Sequence, residues 1–133
     1  MRKAKSQLTP LELQIMKALW ESGPSTVQAV QGKLPGERLA YTTVQTMLNI
    51  LQRKGKVRRR LVGKAYEYRA ALSRDKAIGE ALGDMLNRMF GGSVDALLMS
   101  LVKSRQLDSN KLARLQRLIG DKEARGEVEH ERD

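Results

Sequence analysis

Along the first 55 residues, apolar side chains recur at three- and four-residue spacing, in runs cut by Gly-Pro, Pro-Gly and Lys-Gly steps. Leu11, Ile15, Ala18 and Leu19, with Met16 and Trp20 beside them, predict an amphipathic helix that stops at Ser22-Gly23-Pro24. Thr9 is placed to cap its free amides, Pro10 suits the first helical position, and Glu12 can reach back to complete a capping box. A second box is expected at Ser25-Thr26-Val27-Gln28, with Ser25 and Gln28 as the reciprocal pair and Val27, Val30 and Leu34 as the apolar face, ended by Pro35-Gly36. A third box, Thr42-Thr43-Val44-Gln45, opens a helix over about residues 42–54. Its inward face is Val44, Met47, Leu48 and Leu51, and Gly55 is its expected left-handed cap.

The period then changes from helical to alternating. Lys56-Val57-Arg58-Arg59-Arg60-Leu61-Val62 and Ala65-Tyr66-Glu67-Tyr68-Arg69 read as two strands joined at Gly63-Lys64, where Gly63 supplies the unusual backbone angle of a hairpin. Three capped helices followed by a β-hairpin is the order of a winged helix-turn-helix. After Leu72 the pattern is helical again. Ser73 caps a helix with Ile78, Leu82, Met85, Leu86 and Met89 on one stripe, which Gly91-Gly92 ends. Ser93 caps a second, with Val94, Leu97, Leu98, Leu101 and Val102. A third starts at Asp108 or Ser109 and carries Leu112, Leu115, Leu118 and Ile119. The expected fold is mainly α, in three parts: a winged-helix domain at 1–72, a helical dimerisation region at 73–119 and a polar, frayed or disordered tail at 120–133.

Charge sharpens this picture. The chain has 133 residues and a formal net charge of +10. Residues 1–72 hold fourteen Lys and Arg against four Asp and Glu, whereas the remainder is balanced at eleven of each. A cationic amino-terminal half implies a polyanionic partner, and nucleic acid fits better than an anionic membrane because no long basic amphipathic helix lies there. No apolar run spans a bilayer, and no apolar stretch follows the basic amino terminus as in a secretory signal, so a cytoplasmic protein is expected. Without cysteine there is no disulfide, thiolate metal site or cysteine nucleophile. His130 is the one histidine, sits in the polar tail, and no His, Asp or Glu cluster has metal spacing. Neither catalysis nor a cofactor is expected.

The candidate chemistry is therefore recognition of double-stranded DNA. Thr42, Thr43, Thr46 and Asn49, with Gln45 near, line the outward face of the third helix. A threonine methyl suits the thymine methyl, and Asn or Gln can pair with an adenine edge. Cations gather at the far end of this helix and in the hairpin, at Arg53, Lys54, Lys56, Arg58, Arg59, Arg60 and Lys64, a division that matches phosphate anchoring around a base-reading face; all of them but Arg59 are assigned to DNA contact. In a strand Arg58 and Arg60 point one way and Arg59 the other, and Lys64 at the hairpin tip is the best placed for a wing contact. The stripes beyond residue 73 exceed what about 60 residues can bury against themselves. They are read as the interface of a two-fold homodimer, through Ile78, Leu82, Met85, Met89, Leu97, Leu98, Leu101, Leu112, Leu115 and Ile119. Such symmetry predicts a palindromic operator. The alternatives are a winged module that binds DNA or protein without reading sequence, and a ligand-sensing regulator.

Leu8-Thr9-Pro10-Leu11-Glu12 through Leu19-Trp20, then Tyr41-Thr42-Thr43-Val44-Gln45-Thr46-Met47-Leu48 with Arg53-Lys54-Gly55, and the Tyr66-Glu67-Tyr68 strand resemble the penicillinase-repressor (BlaI/MecI/CopY) family over about residues 7–119. The resemblance implies a homodimeric winged-helix repressor of bacterial promoters, dimerised by its carboxy-terminal helices. It puts Thr42, Thr43 and Thr46 where the family meets bases, and Lys64 in the wing. In the antibiotic-responsive members a sensor-triggered protease cuts after an Asn-Phe pair. That place here holds Ser100-Leu101, so a regulatory protease or sensor is a partner by analogy only. The cysteine cluster of the copper-responsive members has no counterpart.

Overall fold

In the computed structural model, which describes residues 7–36 and 38–130 (side chains only to 125), Thr9 opens the first helix, α1 (Pro10–Ser22). The capping box closes in both directions. Thr9 Oγ1 accepts from the Glu12 amide at 3.2 Å, and Glu12 Oε1 accepts from the Thr9 amide at 2.8 Å. Glu12 is nonetheless a core residue, 1% exposed, and its second oxygen takes an ion pair with Lys54 Nζ at 2.8 Å. One carboxylate thus satisfies the start of α1 and holds the end of the third helix, 42 residues away.

The other two expected boxes are not formed. The second helix, α2 (Val27–Lys33), is capped by Thr26, whose Oγ1 accepts from the Ala29 amide at 3.2 Å. Ser25 is displaced from the capping role because Ser25–Thr26 is a short strand, β1, and the Ser25 hydroxyl donates to the Gly23 carbonyl at 2.8 Å. The third helix, α3 (Tyr41–Arg53), begins one residue before Thr42, with Ala40 as N-cap and no side-chain cap. Gln45 turns away from the helix start to bond Tyr68 instead. The expected cap at Gly55 is present: Gly55 adopts φ +78°, its amide reaches Gln52 O at 3.0 Å, and the Lys56 amide reaches Leu51 O at 2.9 Å. These two bonds make a Schellman motif, which needs a left-handed residue at that position.

Strands β2 (Val57–Val62) and β3 (Ala65–Ala70) form the hairpin, and β1 adds to the other side of β3, giving an antiparallel sheet of order β1-β3-β2. At the hairpin tip Gly63 has φ +65° and Lys64 does not share the positive sign, the pattern of a type II′ turn. Arg59 pairs with Tyr68 and Val57 with Ala70, so 57, 59 and 61 share a sheet face with 66, 68 and 70. That face meets the helices. Ile15, Met16, Leu19, Val30, Val44, Leu48, Leu51, Val57 and Tyr68 form the core, and Trp20 packs at its margin with its indole N–H on Leu72 O at 2.8 Å.

Beyond the hairpin lie α4 (Arg74–Phe90), α5 (Val94–Lys103) and α6 (Ser109–His130). Ser73 and Ser93 cap α4 and α5 as expected, and Asp108 caps α6 through the Lys111 amide at 2.8 Å. The chain separates into two compact units, Met1–Asp84 and Met85–Asp133. The division falls inside α4 rather than at Leu72, where composition changes. The reason is that Ala77 packs against the winged core and Glu80 lies 3.7 Å from Lys56. The helix α6 continues past Ile119, where a polar tail was expected to begin, to His130. Its apolar stripe ends there, but Asp121 to Arg125 are good helix formers apart from Asp121, so loss of amphipathicity does not stop the helix. Residues 131–133 of that tail lie outside the described residues.

Burial pushes the Glu12 carboxyl up, but the Lys54 ammonium and the Thr9 amide and hydroxyl outweigh it and leave the pKa lowered. A depressed folded-state pKa stabilises above the ordinary carboxylate value, and that contribution drains away as pH falls through the lowered value. Lys54→Met should therefore cost roughly 2–4 kcal/mol at neutral pH, because it strands a buried carboxylate. In urea denaturation across the acid range, Glu12→Gln should remove part of the wild-type loss of stability.

Candidate nucleic-acid interface

Position in α3 decides what each side chain can do. Thr42, Thr46, Asn49 and Arg53 follow at intervals of four, three and four, which puts them on a single stripe about 16 Å long. Thr42, Thr43, Thr46 and Arg53 are exposed, while Gln45, Asn49 and Gln52 are half-buried. The opposite side carries Val44, Leu48 and Leu51, all fully buried. With no capping duty at the start of α3, the hydroxyls of Thr42 and Thr43 are open to a partner.

Gln45 and Asn49 are held by the sheet. Gln45 Nε2 donates to Tyr68 Oη at 3.0 Å, and the Tyr68 hydroxyl and Gln45 Nε2 both lie 3.5 Å from Asn49 Oδ1. Both contacts on Asn49 fall on Oδ1, and its NH₂ group has no partner among the described residues, so it remains available to donate. The Gln45 amide is committed to Tyr68, and its position suits orienting the helix more than reaching a base edge.

The cations divide sharply. Lys54 is bound to Glu12, and Lys56 is 9% exposed with its ammonium turned to Glu80 Oε1. These two expected phosphate anchors are used within the fold. Arg58 and Arg60 lie on the sheet face away from the helices, where Arg60 sits 3.6 Å from Glu67 with most of its side chain in solvent. Lys64 is exposed at the hairpin tip and Arg53 at the end of α3. Neither has an ion pair among the described residues.

Arg59 belongs to the basic run read from the sequence but not to the assigned DNA contacts, which favour Arg58 and Arg60. It shares the face of Val57 and Tyr68, so its guanidinium comes to the α3 side. There it lies 4.2 Å from the centroid of the Tyr66 ring and lines an open depression of about 570 Å³ with Asn49, Gln52 and Arg53. The signal was present in the alternation: Val57, Arg59 and Leu61 share one parity, and Val57 belongs in the core.

Of the residues assigned to dimerisation, Ile78, Leu82, Met89, Leu98, Leu112, Leu115 and Ile119 are exposed, and Met85, Leu97 and Leu101 are half-buried. No residue of α4 or α5 is buried. Val94, Met99, Val102 and Leu118 add to the exposed apolar set. Ser100 and Leu101 lie inside α5, where regular helix offers no extended backbone to a protease. The side chain of His130 lies outside those described, and among the described residues no group of His, Cys, Asp and Glu could hold a metal ion. No described helix is long and apolar enough to cross a membrane.

The penicillinase repressor family matches residues 8–121. The chain belongs to this family. The penicillinase repressor of Bacillus licheniformis is 23% identical over 85% of the chain and 89% of its own length. The transcriptional regulator BlaI of Mycobacterium tuberculosis is 31% identical over 90% and 87%. Among solved structures, a chain of the hsRosR-S4 complex superposes with a TM-score of 0.51 at 19% identity, covering 93% of this chain and 97% of that one. The transcriptional regulator Tm0710 of Thermotoga maritima gives 0.50 at 19%, covering 92% and 77%. At such identity the structural likeness carries the fold, which is winged-helix. The family makes the chain a DNA-binding transcriptional regulator and not an enzyme.

The partition of cations in this penicillinase-repressor chain yields a direct comparison. Lys64→Ala should weaken all duplexes alike and lower the salt slope of binding by about 0.9 for each phosphate it no longer neutralises. Lys56→Ala should leave the slope unchanged and instead lower the thermal midpoint. Equal slope changes in the two variants would contradict the division.

Proposed function

We propose that the chain is a homodimeric repressor that occupies a palindromic operator, with α3 reading bases in the major groove and the hairpin anchoring the flanking backbone. The observation that carries this reading is the exposed Thr42, Thr43 and Thr46 face of α3, beside cations that have no ion pair among the described residues, on a helix whose other side is fully buried. Small hydroxyl and methyl groups approach base edges closely and discriminate thymine, and cations around them fix register on phosphates. It acts in the compartment that holds the DNA, the cytoplasm of a bacterial cell. Blocking a promoter requires only stable occupancy of its operator.

Dimerisation through the region beyond residue 73 is supported by the apolar residues that a single chain leaves in water. Met89 is 73% exposed and Leu118 65%. A soluble monomer rarely exposes extensive apolar surface, and a second copy is the simplest cover. A two-fold pair would bring two copies of α3 to half-sites separated by one helical turn or a multiple of it. We assign no protease to Ser100-Leu101.

Footprinting of the purified chain on genomic DNA tests the reading, with a two-fold symmetric protected site as the expected result. Thr46→Ala should then reduce discrimination of that site from random duplex by roughly 1–3 kcal/mol, the scale of one base contact. Leu98→Asp, at a position 36% exposed in the single chain, should shift sedimentation toward monomer and weaken operator binding together. A footprint without symmetry, or a full-strength dimer in Leu98→Asp, would remove the corresponding part of the proposal.

A further inference from the structure

The depression between the end of α3 and the hairpin has a composition unlike the threonine face that leads into it. Arg53 and Arg59 flank it, the one from the last turn of α3 and the other from the middle of β2, and Asn49 and Gln52 complete the lining. Neither arginine has an ion pair among the described residues, although Glu12, Glu67 and Glu80 are each matched to a cation nearby. The Arg59 guanidinium carbon lies over the Tyr66 ring, 4.2 Å from its centroid, a cation–π contact that restrains the side chain, and no hydrogen bond from its N–H groups is formed among the described residues. Asn49 is held too, since its Oδ1 accepts from Tyr68 and Gln45 at 3.5 Å, which leaves its NH₂ without a partner among the described residues. The site is concave and doubly cationic. Of its donors, Arg59 and Asn49 have contacts within the fold before any ligand arrives.

We propose that Arg53 and Arg59 together grip one backbone phosphate of duplex DNA in this depression, with the Asn49 amide donating to the same group. The seat rests on the reading of α3 as the helix that enters the groove, and it assigns to Arg59 a role that Arg58 and Arg60, on the opposite sheet face, cannot share. Arg53 closes the stripe that begins at Thr42, so the gripped phosphate sets how far along the groove the threonines come to rest. Arg59 is thus a positioning residue for base reading as well as a source of affinity.

The test uses the full chain and a mixed-sequence duplex about three helical turns long, with binding followed by fluorescence anisotropy between about 50 and 200 mM NaCl. Arg59→Ala should bind about tenfold more weakly, the scale of one charge-assisted hydrogen bond, and should lose about 0.9 from the salt slope for each subunit bound. Arg59→Lys should recover the slope but not the whole affinity, since it restores the charge without the planar fork. Because one phosphate is shared, Arg53→Ala and Arg59→Ala together should lose less than the sum of their separate effects. Unchanged thermal midpoints are expected, as both side chains are exposed. A parallel arm adds inorganic phosphate at constant ionic strength. Stabilisation by phosphate that Arg59→Ala abolishes, with duplex binding intact, would assign the seat to a free anion and overturn the proposal. Wild-type binding with a normal salt slope that Arg59→Ala does not alter, or strict additivity of the two variants, would overturn the shared seat alone. Failure of the wild type to bind duplex would overturn the function on which it rests.

Discussion

A buried tyrosine hydroxyl fixes the relation between α3 and the sheet. Tyr68 lies in the central strand β3, fully removed from solvent, and a phenol in that setting needs a partner for its polar tip. It finds Gln45 and Asn49 on α3. The ring supplies apolar packing in the middle of the core, and the hydroxyl specifies which turn of α3 faces it. An all-apolar contact would hold α3 against the sheet but would tolerate rotation and sliding more readily. With the helix keyed in this way, the threonines face outward and the strand cation Arg59 comes to the end of the same stripe.

Charge is the second constraint, and it is used in two distinct ways. Glu12 binds Lys54 at the end of α3, and Glu80 takes up Lys56, so the positively charged turn after α3 is partly neutralised from within. The Glu12–Lys54 pair, at 2.8 Å, offsets its desolvation cost with close geometry, whereas the Lys56–Glu80 pair, at 3.7 Å, is looser. Arg53, Arg59 and Lys64 are left with no such partner among the described residues. An excess of positive charge at those places repels itself in the free protein and is relieved by a polyanion. The composition is the sum of both populations and does not tell them apart.

The helices beyond the hairpin obey a different logic. They have caps, apolar stripes and regular geometry, yet they bury no residue in α4 or α5. Stripe and burial agree in α1 and α3, where a second layer of the same chain covers the apolar side. In α4 to α6 the stripe is written in the sequence and the cover is not supplied by the single chain. That unmet surface is the physical ground for the homodimer proposed above.

Local rules were legible where local interactions decide. The Thr9–Glu12 box, the Gly55 cap, the Gly63 turn and the helical stripes all depend on residues within a few positions of one another, and the chain adopts them. The expected boxes at Ser25 and Thr42 failed because a distant element competed: β3 recruits Ser25–Thr26 as a strand, and Tyr68 draws Gln45 away from the helix start. Lys54 and Lys56 looked like phosphate anchors for the same reason, since their carboxylates come from 42 residues before and 24 residues after them. Sequence alone determined the winged-helix order, the polarity of each helix and the polyanionic character of the partner, because periodicity and charge are properties of the chain. Which cations remain free, and that Arg59 stands beside Arg53, only the tertiary structure decided. Strand register and long-range ion pairs join residues whose separation along the chain carries no signal of their meeting.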